Sequence, residues 1–152
     1  MNDDIKKLAF ESARTALSMG EIPVGAVVFD TQTGKVLSSA YNQTKKNSDA
    51  TGHAEILAIR EAGKVIGSDN LSGCSIYSTL EPCPMCAGAI AWAKLDKVYF
   101  GAYDEKSGAV DNGIHLFNQA SCHHQPEVIG GIGEEEAQKM VSDFFKGLRK
   151  NG

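Results

Sequence analysis

Four side chains with metal-binding and proton-transfer chemistry are grouped in two short motifs of the sequence. The first motif is "TGHAEI", which contains His53 and Glu55, and the second is "EPCPMC", which contains Cys83 and Cys86. Each motif opens a run of residues that predicts a helix, so each potential ligand lies in a first helical turn. Two cysteines three residues apart at such a turn lie on one face and can bind a single ion.

A zinc ion held by His53, Cys83 and Cys86 would have three protein ligands and one free coordination position. That arrangement is typical of catalytic zinc sites, whereas structural sites are closed by four protein ligands. A helix N-terminus also lowers the pKa of a cysteine and favours the thiolate that metals bind. Glu55 lies two residues from His53, where it can transfer protons to and from a zinc-activated water. We therefore predict one catalytic Zn²⁺ per chain, with Glu55 as its proton shuttle.

The two cysteines by themselves leave other interpretations open. A C-x-x-C pair also occurs as a redox dithiol or as half of a structural zinc site. The thioredoxin-type dithiol follows an early strand and has no accompanying His-x-Glu, so the paired motifs favour the hydrolytic site. His123 and His124 are poor candidates for further ligands, because adjacent residues seldom bind one ion. Cys74 begins a predicted strand, and we expect its side chain to be buried and to pack in the core.

The composition is that of an ordinary globular domain. The chain has 152 residues, of which 42% are hydrophobic and 22% are charged, and its net charge is −4. These values indicate a single domain over residues 1–152. Four cysteines are too few for a disulfide scaffold, and we find neither a secretory signal nor an apolar run of about 18 residues. We therefore expect a cytoplasmic protein that makes no membrane contact.

The order of predicted elements indicates an α/β fold. An amphipathic helix is capped by Asp3 and Asp4 and stops at Gly20, and an antiparallel hairpin follows it. Strands and helices then alternate. In the first of these helices, Ile56, Ile59 and either Ala62 or Gly63 are predicted to face inward. The later predicted elements are helices at 53–65, 84–95 and 134–150 and strands at 74–80, 97–103 and within 126–131. This alternation predicts three layers, α-β-α, with a mixed five-stranded sheet between helices on both faces.

The combination of H-x-E with P-C-x-x-C is the known signature of zinc nucleobase deaminases. Over nearly its whole length the chain resembles the bacterial tRNA adenosine deaminases, the TadA family. The segments that carry the likeness are "GEIPVGAVV", "TGHAEILAIREAG", "IYSTLEPCPMCAGAI", "VYFGAYDEKSGA" and "SDFFKGLRK". The resemblance implies a cytidine deaminase-like fold, a homodimer, and hydrolysis of the wobble adenosine (position 34) of an arginine tRNA to inosine with release of ammonia.

The resemblance also implies roles for individual residues. By it, His53, Cys83 and Cys86 are the zinc ligands and Glu55 is the proton shuttle. Asn42 and the Ala54 backbone match contacts to the flipped purine, and Lys106, Phe145 and Arg149 match positions that hold the anticodon loop. His123 is at a position near the substrate. An asparagine amide suits a purine edge because it is both donor and acceptor. An exposed phenylalanine beside cationic residues suits the stacking of splayed bases.

One segment departs from the commoner family pattern. In "SGAVDNGIHLFNQASCHHQPEV", His123 takes the place of an asparagine near the substrate, and Gln125 that of an arginine. Two other functions therefore stay open. The first is deamination of a free base such as guanine or cytosine, since "EPCPMC" also occurs in guanine deaminases. The second is a catalytically silent subunit with structural zinc, which Glu55 disfavours because such a site needs no proton shuttle. We expect the chain to bind the anticodon stem-loop of a tRNA and not to bind DNA.

Overall fold

The computed structural model describes the backbone of residues 1–151 and the side chains of residues 1–149. These residues form four α-helices, five β-strands and one turn of 3-10 helix. The helices are α1 (Asp3–Ser18), α2 (Ala54–Ile66), α3 (Pro84–Ala93) and α4 (Glu134–Asn151). The strands are β1 (Gly25–Asp30), β2 (Val36–Tyr41), β3 (Cys74–Leu80), β4 (Lys97–Ala102) and β5 (Glu127–Ile129), and the 3-10 turn is Leu116–Asn118.

The five strands form a mixed sheet in the order β2-β1-β3-β4-β5. Strand β1 is antiparallel to both of its neighbours, β2 and β3, whereas β3, β4 and β5 are parallel. Strands β2 and β3 therefore run in the same direction, and their C-terminal ends lie at the same end of the sheet. The predicted five-stranded mixed sheet is confirmed, and its topology fixes where α2 and α3 begin.

Hydrophobic residues cover both faces of the sheet. Because successive side chains of a strand point to opposite faces, Val27 and Val28 belong to different clusters. Val28 packs in the cluster that contains the buried side chains of α2 and α3, and Val27 packs in the cluster that contains those of α1 together with Ala137 of α4. The three-layer α-β-α architecture is thus confirmed. Within the described residues, no helix is both long enough and apolar enough to cross a bilayer.

The inward face predicted for α2 is confirmed at Ala62, whereas Ile56 and Ile59 are not among its fully buried residues. Its fully buried residues are Ala54, Ala58 and Ala62, whereas Ile56 and Ile59 are only half-buried. Alanine methyl groups let the helix axis approach the sheet closely, and the larger isoleucines then lie at the sides of the contact. Periodicity alone favours the larger apolar residues as the buried ones, which is why the sequence indicated a face rotated from the observed one.

The start of α1 also differs from its prediction. The N-cap residue is Asn2, whose side-chain oxygen accepts a 3.0 Å hydrogen bond from the backbone N–H of Ile5. Asp3 and Asp4 lie in the first turn, where their charges favour the positive end of the helix dipole. The helix then crosses β1 at Gly25, where a Cβ atom would be only 2.0 Å from the Ala9 carbonyl oxygen.

Candidate zinc site and substrate groove

Two of the predicted zinc ligands occupy equivalent places in two strand–helix units. His53 is the N-cap residue of α2, and Cys83 is the N-cap residue of α3. Both have extended backbone angles, and Pro84 in the first turn of α3 pre-sets the helical φ. Because β2 and β3 run in the same direction, both helices begin at the same end of the sheet. Cys86 follows within the first turn of α3, and this brings the three ligands together.

The donor atoms have the spacing that a zinc ion requires. His53 Nδ1 lies 3.6 Å from Cys83 Sγ and 3.5 Å from Cys86 Sγ, and all three donors lie within 4.8 Å of one another. Tetrahedral zinc with Zn–N of about 2.05 Å and Zn–S of about 2.3 Å places nitrogen and sulfur about 3.6 Å apart. The predicted convergence of these residues is confirmed, and the donor set fits one zinc ion.

The three donors are covered on one side and open on the other. Cys86 is completely buried, whereas His53 and Cys83 are half-buried and border a groove. Within the described chain, no fourth His, Cys, Asp or Glu donor joins this cluster. Three protein ligands facing an open groove are the arrangement of catalytic zinc sites, in which solvent or substrate takes the remaining position.

The ligands are electrostatically coupled. The Cys86 thiol donates to the Cys83 sulfur, and together with His53 this lowers the pKa of Cys83 to about 4. The same hydrogen bond, with burial, raises the pKa of Cys86. The hydrogen bond to Cys83 also raises the pKa of His53. Protons and a metal ion compete for these donors, so zinc binding is expected to weaken as the pH falls.

Glu55 lies in the first turn of α2 and borders the same groove. Its side chain is only 4% exposed. Burial raises the pKa of the Glu55 carboxyl to about 7, and the nearby Cys83 acts in the same direction. A carboxyl group with a pKa near neutrality both accepts and returns protons readily, which is the property required of a general acid–base group.

The groove has a volume of about 1330 Å³ and extends from the zinc ligands to α4. It brings together most of the site residues predicted from the sequence. Those that line it are Asn42, His53, Ala54, Glu55, Cys83, Lys106, Phe145 and Arg149. Asn42 is held at the groove wall, because its side chain donates to the Ile22 carbonyl and accepts from the backbone N–H of Thr44. Phe145 is 40% exposed and packs edge-on against Phe144.

His123 is the exception among the predicted substrate contacts. It lines a second cavity of about 250 Å³ beside Trp92, and it is not among the residues that line the groove. The reason is a long-range hydrogen bond, which His124 Nε2 donates to the Leu95 carbonyl oxygen at 2.7 Å. Gln125 also donates to the Phe117 carbonyl at 2.7 Å. These bonds hold the segment at the far end of α3, so one chain does not bring His123 to its own zinc site.

Sequence reasoning missed two buried carboxylates that hold the loops beside the groove. Glu21 accepts hydrogen bonds from the backbone N–H groups of Lys45 and Lys46, and Glu81 accepts five from residues 104–112. Burial opposes ionisation of both groups, yet these hydrogen bonds keep the pKa of each below its usual value. A signal was present, since each is an acidic residue next to an apolar segment, in "GEIPVGAVV" and "STLEPC".

The family is identified by comparison with known proteins. A profile described as "Cytidine and deoxycytidylate deaminase zinc-binding region" matches residues 2–102. The tRNA-specific adenosine deaminase of Rickettsia bellii is 45% identical over 141 residues, which are 93% of this chain and 97% of that protein. The protein of the same name from Bacillus subtilis is 42% identical over 144 residues, covering 95% and 88% of the two chains.

Solved structures agree with the sequence comparison. A structure from work on A-to-I editing by tRNA:A34 deaminases superposes with a TM-score of 0.88 and 41% identity, covering 91% of this chain and 99% of that one. Guanine deaminase from Nitrosomonas europaea shares the fold alone, with a TM-score of 0.77 and 19% identity over 95% and 84% of the two chains. The chain is thus a zinc-dependent deaminase of the cytidine and deoxycytidylate deaminase superfamily and belongs to the family of tRNA-specific adenosine deaminases.

Proposed function

We propose that this enzyme deaminates the wobble adenosine (position 34) of an arginine tRNA to inosine by hydrolysis, which consumes water and releases ammonia. The observation that carries the proposal is the open three-ligand zinc site at one end of a groove whose other end is formed by α4. Relatives at 42–45% identity bear the name tRNA-specific adenosine deaminase. The matches to these relatives over 93% and 95% of the chain support a single catalytic domain over residues 1–152. The use of tRNA supports a cytoplasmic location.

The chemistry needs a nucleophile and a group that moves protons. Zinc bound by His53, Cys83 and Cys86 would act as a Lewis acid that makes water nucleophilic near neutral pH. Glu55 would take a proton from that water as the water oxygen bonds to C6 of the adenine, and it would deliver this proton to N1. It would then assist transfer of a second proton to the amine at C6, so that the C6–N bond breaks and neutral ammonia leaves. Because Glu55 is buried, it performs both transfers in an environment that excludes bulk water.

Recognition of the base would involve Asn42 and the backbone of Ala54. The Asn42 amide offers both a donor and an acceptor at the groove wall, which matches the edge of a purine. Ala54 is fully buried and lies between His53 and Glu55, so its backbone lies next to both a zinc ligand and the proton shuttle. An adenine that is extruded from the anticodon loop could fill the end of the groove closest to these residues.

The remaining length of the groove suits a polynucleotide. Its volume of about 1330 Å³ exceeds the 300–1,000 Å³ that is typical of sites for small molecules. Lys106, Lys146 and Arg149 line it beside Phe145, so cationic groups lie next to an aromatic ring. This combination supports phosphate contacts and base stacking. His123 is left out of the proposed contacts of a single chain, because it lies at the second cavity.

The test of this function compares an anticodon stem-loop with free bases. Three cationic contacts to single-stranded RNA predict a salt slope of about −2, so kcat/KM is expected to fall about 20-fold between 50 and 200 mM salt. Inosine and ammonia are measured together, and Arg149→Gln is expected to reduce the slope by about 0.7. A flat salt response together with consumption of free guanine or cytosine would instead assign the enzyme to free-base deamination.

We also propose that the enzyme is a homodimer that pairs through α3. This helix contains no charged residue, and a helix that is apolar all round is normally covered on every side. Yet Trp92 is 83% exposed, and Ile114 near the second cavity is 52% exposed. A second copy of the chain would cover both residues. An aromatic ring that inserts into a pocket is the usual anchor of such an interface.

Trp92→Glu is therefore expected to convert the dimer into a monomer, because a charge replaces the largest apolar side chain of the interface. Analytical ultracentrifugation would show twice the chain mass of 16.2 kDa for the natural protein and the single mass for the variant. Leu17→Glu is the matched control, since Leu17 is 41% exposed on α1, on the opposite face of the sheet. A monomeric natural protein, or a dimeric Trp92→Glu variant, would contradict this interface.

A further inference from the structure

Glu81 is a buried carboxylate two residues before the zinc ligand Cys83. Its side chain is 2% exposed and accepts five hydrogen bonds, all from one loop. The donors are the backbone N–H groups of Asp104 (3.0 Å), Val110 (3.1 Å), Asp111 (2.9 Å) and Asn112 (3.0 Å) and the Asn112 side-chain amide (2.7 Å). We call residues 104–112 the substrate loop, because its first residues line the groove.

The substrate loop is shaped around this carboxylate. A Cβ atom at Gly108 would lie 2.5 Å from the Glu81 carboxyl carbon and 2.5 Å from the Asp104 carbonyl oxygen, so the loop passes too close for any side chain there. The Asp104 carboxylate in turn accepts from the backbone N–H groups of Lys106 and Ser107, at 3.1 and 3.0 Å. The loop therefore has a defined conformation, and its centre is the Glu81 side chain.

Main-chain hydrogen bonds also tie the substrate loop to the turn that carries Cys83. The Glu81 backbone N–H donates to the Ala102 carbonyl at 2.9 Å, and the Ala109 N–H donates to the Pro82 carbonyl at 2.9 Å. The loop is thus attached to the residues immediately before the zinc ligand through both main chain and side chain. A change in the Glu81 bonds would move the loop relative to the zinc site.

We propose that Glu81 is a positioning residue for the RNA substrate, a role that rests on the function proposed above. Glu81 lines the groove but is only 2% exposed, and the hydrogen bonds that its carboxylate accepts come from the substrate loop and not from a zinc ligand, so it acts through that loop. By fixing four backbone N–H groups of that loop, it sets the distance between Lys106 and the zinc site. A charged acceptor is suited to this task, because it binds several N–H donors more strongly than a neutral group does.

Glu81→Gln tests this role with little change in size. The glutamine places a donor NH₂ group where the loop presents only donors, so the loop is expected to loosen. We expect KM for the anticodon stem-loop to rise about tenfold or more while kcat stays within about threefold and zinc content is unchanged. Hydrogen exchange measured by mass spectrometry should become faster in the substrate loop, at the amides of residues 104 and 110–112.

Two further variants keep the test decisive if Glu81→Gln folds poorly. Asn112→Ala removes the side-chain amide, which is one of the five donors to Glu81. We expect it to raise KM about threefold and to speed hydrogen exchange at the same amides as Glu81→Gln. Glu21→Gln is the matched control, because Glu21 is a buried carboxylate that holds a different loop beside the groove. Its exchange effect should be confined to residues 44–46 and leave the substrate loop unchanged.

The two readouts separate failure of this role from failure of the proposed function. If the natural protein makes no inosine from the stem-loop, the proposed function is wrong, and exchange in the Glu81 variants still reports whether the carboxylate holds the loop. Unchanged exchange in the substrate loop would overturn the positioning role. A fall in kcat at constant KM would also overturn it, since that result would place Glu81 in the chemical step.

Discussion

Replacing Glu55 with alanine is expected to leave about one zinc ion per chain and to lower the rate of inosine formation by at least about 10³-fold. The expectation follows from the separation of the two roles within α2. His53 supplies a ligand at the N-cap, whereas Glu55 is not part of the donor cluster and borders the groove. Zinc is measured by elemental analysis, and inosine by chromatography of the digested stem-loop.

The Glu55 prediction has two informative companions. Glu55→Gln keeps the shape of the side chain but cannot transfer the proton, so it should be as inactive as the alanine variant. Glu61→Gln changes an exposed glutamate of the same helix and should retain activity within about twofold. Persistent turnover by Glu55→Gln, or loss of zinc from both Glu55 variants, would remove Glu55 from the role of proton shuttle.

Replacing Cys86 with alanine is expected to remove the metal. Cys86 is completely buried, so no water or neighbouring group can substitute for the lost sulfur without a rearrangement of the core. Zinc content should fall to less than about one tenth of an ion per chain, with loss of turnover. The thermal midpoint should fall as well, because bound metal stabilises only the folded chain.

Cys122→Ser is the matched control for the metal prediction. Cys122 is half-buried, and its thiol donates to the His124 carbonyl at 3.1 Å, a bond that a serine hydroxyl can retain. This variant should keep its zinc, its activity and its thermal midpoint. Equal zinc content in the natural protein and in Cys86→Ala would show that the metal is bound somewhere other than at the described cluster.

The zinc site could be predicted from the sequence because its information is local. Few residue types can bind zinc, and each motif lies at the start of a helix that follows a strand in the chain. Because β2 and β3 run in the same direction in the structure, His53 and the cysteines meet at one end of the sheet. The strands were readable for a similar reason, since "VLSSAY" and "CSIYSTL" coincide with β2 and β3.

Features that depend on distant partners could not be read in the same way. The position of His123 is set by the bond of its neighbour His124 to Leu95, 29 residues away. The substrate loop depends on Glu81, which lies 23 to 31 residues before its donors. The buried face of α2 depends on how closely that helix approaches the sheet, and three-dimensional packing decides this. None of these partners is indicated by hydrophobic periodicity.

A crystal structure of the zinc-loaded enzyme, with anomalous data at the zinc edge, tests the central claim most directly. The account predicts one zinc ion bound by His53 Nδ1 at about 2.05 Å and by both cysteine sulfurs at about 2.3 Å. The remaining position should hold a solvent molecule within hydrogen-bonding distance of Glu55. A fourth ligand from the polypeptide at that position, or zinc located away from these three residues, would contradict the account of a hydrolytic site.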